Sequence, residues 1–351
     1  METTETQTEK KELISFADYR KELANHLPKD ILKRDPWRLK WAIFFYGVIG
    51  SCIYLVMSAE LPIVVKVILG LIMGICSGGA TFLAHEILHG SVVKSKKLQS
   101  FFGFFGFAPF LISPTYWRFW HNYLHHGNTQ LLYKDPDAFP TKMVWKKSKF
   151  MQRVFKLAPG SGYLRSYFYF FYWFSLQAFL NQVYMRFGNK MWAKMNHKAV
   201  TVEFILQCLM MGAYCYFVGA SNLIYLVLIP FLIQNYTVMS YISTNHNISP
   251  YTKVNDPLVN SLTVTNNPIL EKVHMNFGYH TEHHLFPNAP MTKAKLISNK
   301  LKELYPDRYM IMPKGEAMKK LYSTPRIYKN RETLINPETE KEFGTLGHGL
   351  S

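Results

Sequence analysis

Nine of the thirteen histidines in this 351-residue chain stand at spacings that could bring imidazole nitrogens side by side. His85 and His89 lie in HEILHGS, His121, His125 and His126 in WRFWHNYLHHGNT, and His280, His283 and His284 in NFGYHTEHHLFP. The ninth is His246, in STNHNIS. Residues three or four apart on a helix share a face, with Cβ atoms about 5–6 Å apart. Each cluster can therefore present two imidazoles to one metal, or to an adjacent pair. Eight or nine nitrogen donors exceed the four of a structural zinc site and the three of a catalytic one. Two irons with four or five ligands each would use them all. Imidazole suits iron, and the absence of clustered thiolates argues against an iron–sulfur centre.

Other readings compete for parts of this set. His85-Glu86-Ile87-Leu88-His89 satisfies HExxH, in which two histidines bind zinc and the glutamate is the general base. A membrane zinc protease would use two of the nine and leave seven without a task. A non-catalytic metal-binding protein is a third class, which metal analysis would separate. Any single pair is compatible with ordinary structural histidines, but a third cluster with a second HH doublet is hard to obtain by chance. His26, His197, His274 and His348 are read as bystanders. Cys52, Cys76, Cys208 and Cys215 sit in apolar segments without CxxC spacing, and read as small packed hydrophobes.

Histidines so far apart in sequence need a scaffold that gathers them. Hydrophobic residues make up 48% of the chain and charged ones only 18%, whereas soluble domains carry about a quarter charged. A bilayer core takes roughly 20 apolar residues in a helix, and four segments qualify: 41–58, 61–84, 199–220 and 222–241. The first two and the last two are joined by very short links, which predicts two helical hairpins. Those links carry no Lys or Arg, so the positive-inside rule places both termini and the histidines in the cytoplasm. Lys66 is the exception, expected to snorkel to the outer interface. The fold class predicted is all-α integral membrane, with a cytoplasmic helical cap carrying the histidine clusters. Residues 101–112 are too short to cross and read as a re-entrant or buried segment. Residues 163–184 are long enough, but crossing there would put the third cluster across the membrane from the first two. An interfacial helix is expected instead. Residues 1–40 read as an N-terminal region with two short amphipathic helices, broken at Pro28 and stopped near Pro36. Residues 41–310 form the membrane domain, 292–304 another helix, and 311–351 a polar tail, loosely ordered after about 325. The opening METTETQTEKKEL has no apolar core, and no signal peptide is read there.

The three clusters, HxxxH, HxxxHH and HxxHH in that order, resemble the membrane fatty acid desaturase superfamily. Flanking residues agree: Gly90-Ser91 after the first, HHGNT followed by Asp135-Pro136 in the second, EHHLFP in the third. The resemblance covers about residues 40–310. It implies a di-iron centre ligated by His85, His89, His121, His125, His126, His280, His283 and His284, with His246 as the ligand near the fourth span. Some acyl-CoA members place an Asn four residues ahead of that last histidine, where this chain has Ile242. The activity implied is O2-dependent desaturation of lipid-linked or thioester-linked acyl chains. A hydroxylase or ketolase of the same chassis, acting on an alkane, sphingolipid or carotenoid, is the alternative. His280 replaces the Gln of many front-end members, which argues against front-end activity.

The remaining expectations concern surroundings. Glu86, Asp135, Asp137 and Glu282 are candidates to orient the imidazoles. Trp117, Trp120 and the Phe101–Phe107 run are candidate tunnel walls, although packing alone would also explain them. The sequence holds no haem-binding HPGG segment and no GxGxxG, so an external donor, ferredoxin or a cytochrome-b-type protein, is expected. Net charge is +17, and between Asp137 and Glu203 there are eleven Lys or Arg and no acidic residue. Such a surface suits acidic partners and membrane lipids rather than nucleic acid. A bacterial cell membrane is the expected location.

Overall fold

The structure is a computed structural model that describes residues 12–350. The METTETQTEKK stretch of the opening, where no signal peptide is read, lies outside the described residues. Among the described residues four helices are long and apolar enough to cross a membrane: Pro36–Ser58, Ile63–Leu88, His197–Val218 and Ile224–His246. They match the four expected segments, but the second and fourth run on further. The helices that carry these segments therefore continue without a break as far as His85 and His246. After His89 the chain turns away at Gly90, whose φ is +84°, a left-handed helix end that glycine adopts without strain.

Second and fourth spans pack against each other along a row of small residues. A Cβ built on Gly70 would lie 3.2 Å from Ile229 Cγ2, on Gly74 2.6 Å from Ile233 Cβ, and on Gly78 3.1 Å from Thr237 Cγ2. Both numberings rise together, four residues at a time, so the two helices run parallel. Small residues at this spacing let membrane helices approach until their backbones touch. Polar bonds fix the register: Gln234 donates to Thr81 Oγ1 at 2.8 Å, and Thr81 donates to Gly106 O at 3.0 Å. His85 and His246 consequently leave at the same end of the bundle.

Residues 101–112 are too short to cross and are buried on one face only, through Gly103, Gly106, Phe107, Phe110 and Ile112. Helix Lys96–Phe107 lies on the second span, where Gly103 meets Leu88. The third span stands apart, with Leu209 65% and Tyr216 91% exposed. Such continuous apolar exposure is what a lipid-facing helix shows. Its inner face is held by Gln207, which donates to Phe104 O and Ile112 O, both at 3.0 Å.

Several expectations need correction. The stretch 163–184 is not one helix. It is a 3-10 turn over Leu164–Phe171, an α-helix over Trp173–Phe179 and a π-turn over Leu180–Met185. Among the described residues only one N-terminal α-helix forms, Phe16–Leu23, capped by Ser15 Oγ, which accepts from Asp18 N–H. Residues after it are turns that bury Leu27 and Ile31. Pro36 does not stop a helix but opens the 3-10 turn leading into the first span, since proline suits a first helical position.

Nor is the chain all-α. Thr263–Thr265 pairs in parallel with Ile311–Pro313. Thr333–Ile335 pairs antiparallel with Glu342–Leu346, which pairs in parallel with Gly349–Leu350. The tail that reads as loosely ordered is packed: Arg326, Tyr328, Leu334 and Ile335 are buried. Arg326 donates to Asn247 O, Tyr328 to Ser249 O at 2.5 Å, and Leu346 N–H to Ile248 O at 2.8 Å. Polar composition concealed this, because the contacts run mainly through backbone carbonyls just beyond His246.

The packing row gives a direct test. Gly74→Ala forces its new Cβ into Ile233, at a cost of about 1–3 kcal/mol for overpacking. Gly50→Ala meets nothing within 4 Å and should be neutral or slightly stabilising. Thermal unfolding in detergent should show Gly74→Ala melting lower than Gly50→Ala; equal midpoints would contradict the parallel contact.

Candidate metal centre

All nine histidines gather at the shared end of the second and fourth spans, in two adjoining groups. His85, His89, His121 and His283 have ligand atoms within 4.8 Å of one another, and so do His125, His246, His280 and His284. His126 joins the two: its Nε2 is 3.1 Å from His121 Nε2 and 3.0 Å from His283 Nε2, and its ring stacks on His284 with centroids 4.3 Å apart.

Local backbone decides which histidine goes where. His85 and His89 lie one turn apart at the end of the second span and share a group. The second cluster does not follow α-helical spacing, because Arg118–His125 is a π-helix. Its wider turn brings residues five apart together, so His121 meets His126 and goes to one group while His125 goes to the other. On the short helix His280–Leu285, His280 and His284 face one group and His283 the other.

The donor chemistry fits a metal. His246 Nδ1 lies 3.1 Å from the Asn260 carbonyl, and His125 Nδ1 lies 3.0 Å from Asp135 Oδ1. An oxygen acceptor at Nδ1 requires the proton there, which leaves Nε2 a bare lone pair. Yet His246 Nε2 faces His280 Nε2 at 2.8 Å and His284 Nε2 at 3.1 Å. Three ring nitrogens thus converge on one point, as the ligands of a cation do, while His280 Nδ1 is buried without a partner. His89 Nε2 is likewise buried without a partner. Burial first, and neighbouring histidines second, hold His89, His121, His126, His280 and His284 well below the ordinary histidine pKa. Neutral rings are what a metal requires.

The four candidate orienting carboxylates divide evenly. Asp135 and Asp137 back His125, with Asp137 Oδ2 3.4 Å from its Nδ1. Burial lowers His125, but the Asp135 carboxylate outweighs it and holds the pKa above the usual value. These carboxylates could join His125 in holding a cation, but other donors already occupy them. Asp135 Oδ2 accepts Gln130 N–H at 2.8 Å, and Asp137 Oδ1 accepts Trp120 Nε1–H and Gln177 Nε2–H, both at 2.9 Å.

Glu86 and Glu282 face other groups. Glu86 pairs with Arg38 at 2.6 Å and accepts Met291 N–H at 2.9 Å. Glu282 accepts from Thr263 at 2.6 Å and from Tyr309. A glutamate so engaged cannot serve as the base of an HExxH protease. His274 bonds Tyr241 OH at 2.9 Å, outside both groups. Thr129, Gln130, Asn260 and Arg38 were not singled out from sequence. Only Thr129, inside HHGNT, carried any signal there.

An apolar cavity of about 460 Å³ adjoins the histidines. His85, His121, His125, His246 and His280 line it, with Phe82, Phe107, Trp117, Trp120, Trp173 and Phe174. Trp117, Trp120 and Phe107 thus stand where a tunnel wall was expected, whereas Phe101 is 55% and Phe105 40% exposed elsewhere. Ile242 also lines it. Segment 163–184 supplies much of the far wall.

The Arg38–Glu86 pair makes a quantitative prediction. Removing one partner of a buried pair costs about 3–5 kcal/mol by stranding the other charge. Arg38→Ala should lower the melting temperature strongly, and adding Glu86→Gln should recover part of the loss. No recovery in the double variant would mean that the pair is not coupled.

A family model described as Fatty acid desaturase matches residues 62–315, a stretch that includes all nine histidines. A comparison with curated proteins gave no match.

Proposed function

Since the chain belongs to the fatty acid desaturase family, we propose that it desaturates fatty acyl chains at two irons, with O2 as co-substrate. The observation that carries this reading is that five of the gathered histidines line one apolar cavity. Its volume lies within the roughly 300–1,000 Å³ of ligand pockets. His85, His89, His121, His126 and His283 would hold one iron, and His125, His246, His280 and His284 the other. When bound, the irons supply the oxidation of an unactivated methylene that no side-chain acid or base can perform.

The chain's own residues do the rest. Phe82, Phe107, Trp117 and Phe174 offer an acyl chain an apolar wall and exclude water from the reacting carbons. Asp135 keeps the proton on His125 Nδ1, and the Asn260 carbonyl does the same for His246, so the opposite nitrogens stay free to ligate. Orientation follows the basic residues: the links at 59–62 and 219–223 carry no Lys or Arg, so the histidine end faces the cytoplasm by the positive-inside rule. Electrons come from an external protein, ferredoxin or cytochrome-b-type. An acidic donor would be attracted by the basic surface, with an on-rate that falls as salt rises.

Expression in a lipid-producing host, followed by mapping of double bonds in its fatty acids, tests the reading. The wild type should add double bonds, His284→Ala should abolish them, and His26→Ala, an exposed residue, should match the wild type. Products carrying an added oxygen would move the assignment to a hydroxylase. Unchanged lipids with a well-folded, iron-loaded protein would overturn it.

A further inference from the structure

The two histidine groups are held very differently. Around His125, His246, His280 and His284, three rings have their outer nitrogen fixed. His125 Nδ1 lies 3.0 Å from Asp135 Oδ1, His246 Nδ1 3.1 Å from Asn260 O, and His284 Nδ1 3.2 Å from Thr129 Oγ1. The fixing groups are bonded to one another. Asn260 Nδ2 donates to Thr129 O at 2.6 Å, and Asn260 Oδ1 accepts from Thr252 at 2.9 Å. Gln130 closes the belt: its N–H donates to Asp135 Oδ2 at 2.8 Å and its amide to His246 O at 2.5 Å. Gln130 adopts φ +54° to do so, a left-handed conformation that a non-glycine residue rarely takes. Thr129, Gln130, Asp135 and Asn260 are all buried.

The other group has no such belt. Among the described residues, no ring nitrogen of His85, His89, His121 or His283 has a hydrogen-bond partner beyond the nine histidines. His121 is only partly buried, and so is His126, the fifth nitrogen donor beside it. His126 does not line the cavity and is followed by exposed Gly127. Its Nδ1 is buried without a partner, so this ring too has no outer hydrogen bond to fix it.

We propose that Asn260, with Thr129, Gln130 and Asp135, is a positioning belt that makes the His125/His246/His280/His284 position the tight metal site and leaves the other exchangeable through His126. This rests on the di-iron reading above. A ring fixed at its outer nitrogen has its tautomer and direction set before metal arrives, while an unfixed ring must lose that freedom on ligation. Removing such a support typically costs 10–100-fold in metal affinity. The belt draws on residues near 129–135 and on Asn260, so it also couples the second histidine cluster to the end of the fourth span.

The test uses the full-length, iron-loaded protein in detergent, challenged with increasing chelator. Iron per chain is read by elemental analysis, and iron environment by Mössbauer spectroscopy. The belt predicts loss in two phases, with a plateau at one iron per chain whose spectrum is a single component. Asn260→Ala and Asp135→Asn should weaken the retained iron about 10–100-fold and abolish the plateau. His126→Ala should speed the first phase and leave the second unchanged. Both irons leaving the wild type together, or a plateau that survives Asn260→Ala, would overturn the proposal. Should Asn260→Ala fail to fold, the wild-type profile and Asp135→Asn decide it. A folded wild type that takes up no iron fails the di-iron reading itself, a result separate from single-phase loss.

Discussion

Bare imidazole lone pairs pointed at one another repel, and nothing in the rings themselves keeps them together. Their convergence has to be imposed by backbone, and that constraint organises the whole structure. The principal device is the parallel contact of the second and fourth spans, where Gly70, Gly74 and Gly78 admit Ile229, Ile233 and Thr237. In lipid there is no hydrophobic drive to pair helices, so close packing and interhelical hydrogen bonds must do it. The glycine row supplies the first, and the Gln234–Thr81 bond the second. Once the helices are parallel and in register, His85 and His246 end side by side without further adjustment.

Remaining histidines arrive on loops, which are tied down by polar contacts at the same end. The N-terminal arm reaches across them: Phe16 N–H donates to Asn255 O, Asp35 N–H to Ser91 O, and Arg34 to Gly90 O at 2.9 Å. Asn255 in turn donates to the His126 carbonyl at 2.8 Å. Glu86 joins the start of the first span, through Arg38, to Met291 beyond the third cluster. The C-terminal tail holds the chain just past His246. Segments that look peripheral in sequence thus brace the chain around the centre.

Much of this was legible in the sequence because periodicity and composition report it directly. Four apolar runs of spanning length and eight histidines in three closely spaced clusters carry local signals. What was not legible depended on long-range pairing or unusual backbone. The π-helix at Arg118–His125 carries no marker in WRFWHNYLH, yet it decides that His121 and His125 part company. Asn260 and Gln130 are polar residues in unremarkable loops, and they matter through carbonyls and amide hydrogens that no motif encodes. The tail was misread because its charged composition suggests solvation, while Arg326 and Tyr328 are buried against backbone oxygens. Glu86 shows the opposite error: a local match to HExxH assigns it a chemical role, and an ion pair with a residue 48 positions away removes it from that role.

The central claim is that nine imidazoles from three clusters and the fourth span grip a pair of irons. Iron K-edge X-ray absorption of the purified, iron-loaded protein measures it most directly. The account predicts two irons per chain, first shells dominated by nitrogen at four to five donors per iron, and the outer-shell scattering of imidazole rings. A single bound metal, sulfur in the first shell, or a shell without imidazole scattering would contradict it.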